Sequence, residues 1–205
     1  MVKRAAGRSA GPYDPAVGED VARVIGIAIG TTDHDVDAVA EAAADALGRR
    51  GWGPTPETWD AEGQYLHATV LDYGEHGRWL LVEELEEEPS LLWLAEALAR
   101  TLGPLTAHEL EVREETFENE RGELAYACRH RSVAVEADGT LRDVVGALGE
   151  DEARRPHGDL HETAGHLLGV MVHEHARAPV GAPRDLDLHR PRPGPASTAT
   201  SRGGT

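Results

Sequence analysis

The stretch Val24–Asp37, VIGIAIGTTDHDVD, decides the fold. Its first half is continuously apolar through Gly30, the pattern of a strand buried on both faces and therefore central in a sheet. Thr31, Thr32 and Asp33 follow, each able to cap a helix, and Asp33, Asp35 and Asp37 crowd the electropositive start of that helix. The continuation DVDAVAEAAADALGRRG places Val36, Val39, Ala40, Ala43 and Leu47 on one helical stripe, with Arg49 and Arg50 closing it and Gly48 or Gly51 ending it. A buried strand that feeds directly into an amphipathic helix opens a mixed α and β domain.

Outward from this unit the same signals recur. YLHATVLDY and RWLLVEELE flank the turn GEHG as a hairpin with a longer loop. SLLWLAEALARTLG carries Leu91, Leu92, Leu94, Ala95, Leu98 and Leu102 on one face, and AHELEVREE alternates as a half-exposed strand. The order is βαββαβ, which predicts an α+β, ferredoxin-like core with both helices on one face of an antiparallel sheet. ELAYACRH and RSVAVEADGTLRDV add C-terminal strands, with Asp138-Gly139 as a two-residue hairpin turn. DLHETAGHLLGVMVHEHA predicts a third helix, although Gly165 and Gly169 weaken it and VMVHEH reads equally as a strand. The organisation expected is a flexible tail over 1–20, one domain over 21–178, and a disordered Pro/Arg/Ser/Thr/Gly-rich tail over 179–205.

VIGIAIGTT also resembles the first strand and phosphate loop of the sugar kinase, actin and heat-shock chaperone ATPases. That resemblance implies an acid within the strand to organise metal and water, and here the matching residue is Ala28. The resemblance also implies a second strand and a second lobe, whereas this chain enters a helix. With three carboxylates at the helix start, where a phosphate would sit, the loop reads as structural. Nor does it supply the central Gly and terminal Glu of a calcium loop.

The chain of 205 residues carries a formal net charge of -17, with Lys3 as its single lysine. Such a field repels nucleic acid and anionic membrane and attracts cationic partners. One cysteine, Cys128, excludes an internal disulfide and sits in a strand pattern as a core residue. No apolar run reaches the length of a membrane span or a secretory signal, so a cytoplasmic location is expected.

No complete catalytic motif is present, and no cofactor is called for. The densest charge is Glu83, Glu84, Glu86, Glu87 and Glu88, between a strand and a helix; with Trp52 and Trp59 as aromatic anchors it could dock a basic protein partner. The function expected is therefore a small acidic binding module, of the immunity, antitoxin or adaptor kind. The alternative is a metal-binding protein or metal-dependent enzyme built on the histidine-rich segment 157–175. There Glu162 and His166 stand at i and i+4 of the third helix and His161 lies one residue before Glu162, the donor types that bind zinc or a similar divalent metal.

Overall fold

The computed structural model describes residues 22–58, 63–83, 88–118, 124–145, 158–173 and 178–191. Val24 to Gly30 is the centre of strand β1 (Arg23–Thr31), which pairs antiparallel with β4 (Arg78–Glu83) on one side and β5 (Leu105–Glu118) on the other. β1 divides its residues by size. Ile25, Ile27 and Ile29 face one way, packed with helices α1 (Val36–Gly48) and α2 (Leu92–Leu102), and Val24 and Ala28 face the other. Burying each isoleucine contributes about 1.5–3 kcal/mol. Gly26 and Gly30 lie on the Ala28 face, where a Cβ on Gly26 would stand 2.5 Å from Leu168 Cδ1 and one on Gly30 2.8 Å from the Trp79 ring. The glycines of the opening motif are thus seats for large side chains.

Helix α1 begins one step later than the sequence suggests. Pairing of β1 with β4 runs on to Thr31 opposite Arg78, which keeps Thr31 extended, and the capping side chain is Asp35, whose Oδ1 accepts from Ala38 N at 2.8 Å. Helix α2 is started by a strand. Ser90 Oγ (2.7 Å) and Leu91 N (2.5 Å) both donate to Glu109 Oε1 of β5, placing a carboxylate at the positive end of the helix.

The remaining strands are β2 (Gly53–Pro54), β3 (Gln64–Asp72), β6 (Leu124–Val135), β7 (Leu141–Asp143) and β8 (Arg184–Arg190), and the third helix is α3 (Leu160–His173). They complete an eight-stranded antiparallel sheet of order β2-β8-β3-β4-β1-β5-β6-β7. The protein is therefore mixed α and β, with three helices among the described residues. Helices α1 and α2 share one face, and α3 lies on the opposite face against β1, β5 and the near side of β4. No helix among the described residues is long and apolar enough to cross a membrane.

Three sequence expectations are corrected. ELAYACRH and RSVAV form one strand, β6, because Arg129, His130 and Arg131 stay in register with Glu111, Leu110 and Glu109 of β5. The turn at Asp138-Gly139 has three residues: Gly139 N donates to Glu136 O at 2.8 Å, Glu136 N donates to Thr140 O at 3.0 Å, and Gly139 takes φ +89. Lastly, the segment assigned to a disordered tail from 179 contains β8. Its reason is period-two alternation: Leu186 and Leu188 turn inward against the helix-covered face, opposite Ala68 and Leu66 of β3, while Asp185 and Asp187 turn outward.

Candidate functional site

Because β3 and β8 alternate in register, their residues on the α3 side of the sheet form two facing rows. Tyr65, His67 and Thr69 of β3 stand opposite His189, Asp187 and Asp185 of β8. Helix α3 sits over the other half of the sheet, and this half keeps its carboxylates and imidazole in solvent: His67, Asp185 and Asp187 have side chains 58%, 50% and 72% exposed.

The three central groups and Thr69 form a hydrogen-bonded relay. Asp187 Oδ1 lies 2.8 Å from His67 Nδ1, Thr69 Oγ1 lies 3.1 Å from His67 Nε2, and Thr69 donates its hydroxyl proton to Asp185 Oδ1 at 2.9 Å. An ionised carboxylate only accepts, so His67 Nδ1–H donates to Asp187. A hydroxyl has one proton, and Thr69 gives it to Asp185, so the remaining contact is His67 Nε2–H donating to Thr69 Oγ1. Satisfying every contact requires protons on both ring nitrogens, an imidazolium held between two carboxylates. Beside it the rings of Tyr65 and His189 lie 5.0 Å apart, tilted by 50°.

This geometry decides among chemistries. A nucleophile relay needs free N–H groups beside the hydroxyl to receive an oxyanion. Thr69 instead lies mid-strand with β4 and β8 paired on either side, where the neighbouring backbone belongs to the sheet. Metal binding is disfavoured too, since the two nitrogens of a single imidazole face different oxygen acceptors. Among the described residues no group of three or more His, Cys, Asp or Glu side chains is placed to hold a metal ion. What the face offers is negative charge with an aromatic ledge.

The described residues include only some of those singled out from sequence. Glu84, Glu86, Glu87 and Trp59 lie outside the described residues, and Glu83 is described in its backbone alone, as the β4 partner of His67. Glu88 is largely buried, its side chain 15% exposed, and it ties three segments together: Oε2 to Arg50 Nη1 at 3.3 Å, Oε1 to Arg190 Nη1 at 3.8 Å, and its backbone carbonyl to Arg23 Nη2 at 3.5 Å. Trp52 is 3% exposed with the Arg190 guanidinium 4.7 Å from its ring centre, and Arg50 covers Trp93 at 3.9 Å. In this arrangement Trp52 is core and Glu88 is an internal counter-ion.

The histidine-rich segment is helical where described, with Ala164, Leu167, Leu168 and Met171 buried as its core stripe. Glu162 is the reciprocal half of a capping box: Glu162 N donates to Asp159 Oδ1 at 2.9 Å, and Asp159 N donates to Glu162 Oε2 at 3.2 Å. His161 and His166 lie on the same helix, exposed, one residue before Glu162 and one turn after it. The sequence reading passed over His67, Asp185 and Asp187. RDLDLHR held the signal, an alternation of acids and leucines that only a strand explains. Comparison with protein-family models, curated proteins and solved structures returns no match for this chain.

Proposed function

We propose that this chain is a binding protein whose recognition surface is the exposed β3–β8 half of the sheet, and that it takes a basic protein partner through an arginine side chain. The observation that carries the reading is the exposed Asp187–His67–Thr69–Asp185 relay on the sheet face beside α3. Exposed ion pairs contribute about 0–1 kcal/mol to stability, so a relay this open does little for the fold. Two carboxylates on one strand, separated by a single inward residue, match the fork of a guanidinium better than a point ammonium, and Tyr65 supplies a ring for it to stack on. The net charge of -17 steers such a partner in.

The frame is read as a ferredoxin-like core. The inner strands run β3-β4-β1-β5 with α1 and α2 on one face, and the flanking strands and α3 are additions to that plan. Function does not follow from the frame, only the placement of an open sheet face. The test is binding of fluorescent hexa-arginine and hexa-lysine peptides to the wild-type chain and to the Asp185→Asn/Asp187→Asn double variant. The expected result is tighter binding of the arginine peptide, weakened about tenfold or more in the double variant. Equal binding by both proteins would place recognition elsewhere.

A further inference from the structure

We infer that His67 is a proton switch on this surface, closed when its imidazole is doubly protonated and open when it is neutral; the inference rests on the β3–β8 recognition surface proposed above. In the protonated form every donor and acceptor is satisfied internally: Nδ1–H on Asp187, Nε2–H on Thr69 Oγ1, and the Thr69 hydroxyl on Asp185. Removing one proton leaves too few donors. Asp187 lies 2.8 Å from Nδ1, whereas Asp185 lies 3.8 Å from Nε2, so the proton retained is the one on Nδ1. Nε2 then becomes an acceptor, and the nearest hydroxyl, that of Thr69 at 3.1 Å, turns its proton from Asp185 to Nε2.

The rearrangement needs only rotation of one O–H bond. Its consequence is that Asp185 loses its internal donor and the positive charge between the two carboxylates disappears together. A partner guanidinium and the second imidazole proton therefore compete for the same pair of acids. Among the described side chains, the groups that face His67 are Asp185 and Asp187 on β8, Tyr65 and Thr69 on β3, and the next residue of the β8 row, His189; the backbone of Glu83 on β4 is its register partner across the ladder. The acids on β8 can accept from an imidazolium or from a guanidinium. Histidine as a residue type ordinarily changes charge between about pH 5 and 8, the range the experiment spans. If one proton leaves for each cation bound, linkage sets a limit of about tenfold in affinity per pH unit.

The experiment has two arms. In the first, hexa-arginine binding is measured from about pH 5.5 to about pH 8 for the wild type and for His67→Gln, an exposed position where the fold is checked by thermal melting. We expect wild-type affinity to rise about tenfold or more across the range and that of His67→Gln to change less than about threefold. Parallel profiles in the two proteins would overturn the switch. The second arm needs no peptide. Long-range proton–nitrogen NMR of the imidazoles, with His67 assigned from the His67→Gln spectrum, should show both His67 nitrogens protonated at low pH and Nε2 losing its proton first. Loss from Nδ1 first would overturn the switch regardless of binding, whereas arginine-peptide binding that ignores Asp185 and Asp187 would refute the recognition surface and leave the NMR result to decide the switch.

Discussion

Substituting Gly26 by alanine tests whether the opening motif is a helix seat. A Cβ there would lie 2.5 Å from Leu168 Cδ1, 3.4 Å from Leu168 Cγ and 3.4 Å from Val82 O. Ordinary carbon–carbon contact is about 3.5–4.0 Å, so the leucine end must retreat by about 1 Å. Leu168 is 0% exposed and packed in the α3 core, which leaves no open space to retreat into. Overpacking of this kind costs about 1–3 kcal/mol, offset by about 0.5–1 kcal/mol because alanine is less disordered than glycine in the unfolded chain. We therefore expect Gly26→Ala to destabilise by about 1–2 kcal/mol in urea denaturation, with an unchanged m-value. Leu168→Ala alone should cost about 2–5 kcal/mol through its cavity. In the double variant the new methyl enters the space the leucine leaves, so the two costs should fall short of their sum by about 1 kcal/mol or more. Gly48→Ala, whose Cβ would meet nothing within 4 Å, is the control and should be neutral or stabilising. Additive costs for Gly26→Ala and Leu168→Ala, or a neutral Gly26→Ala, would refute the seat.

Glu88→Gln should lower stability by about 1–2 kcal/mol, because it leaves Arg50 and Arg190 stacked on tryptophans without their shared counter-ion, and amide exchange should quicken over β8. Salt should remove little of that difference, since Glu88 and Arg190 are only 15% and 22% exposed. Burial pushes the Cys128 thiol up from 9.0 to about 11, so at neutral pH its thiolate fraction is about a hundredfold below that of the unfolded chain. Alkylation of the native protein should be slower than that of the unfolded chain by about tenfold or more, since the greater nucleophilicity of a high-pKa thiolate offsets part of the lost fraction. The sign for stability follows: the folded chain keeps this proton longer than the unfolded chain, so the contribution is full below about pH 9 and is lost as pH rises toward about 11. A Cys128→Ala variant that loses stability over that interval as steeply as the wild type would refute the assignment.

The inner frame was legible because its signals were local and repeated. Buried-strand runs, two amphipathic helices and the first hairpin each announce themselves within about ten residues, and their observed spans differ from expectation by a few residues at the ends. The α1 cap was misplaced because Thr31, Thr32, Asp33 and Asp35 are all competent caps, and only the length of pairing with β4 selects Asp35. β8 was missed for a different reason. RDLDLHR is a short alternating run inside a stretch rich in proline and arginine, and its partner strand β3 lies more than a hundred residues earlier in the chain, as the pairing of Gln64 with Arg190 shows. Composition averaged over the tail concealed a seven-residue strand.

The same distance hid the proposed recognition surface, and it explains why the charge of the chain was a poor guide to it. A run of glutamates draws attention because it is contiguous in sequence, yet contiguity is not coplanarity. Glu88 ends that run beneath two arginines, Glu109 caps α2, and Glu111 lies 17% exposed against Arg23 and Arg113. Each of these acids already has a cation or helix end of its own and has little potential left to offer a partner. Asp185 and Asp187 differ in that the group between them is a histidine, His67, and not an arginine or a helix end. The proposed binding face lies there, where β8 lies beside β3.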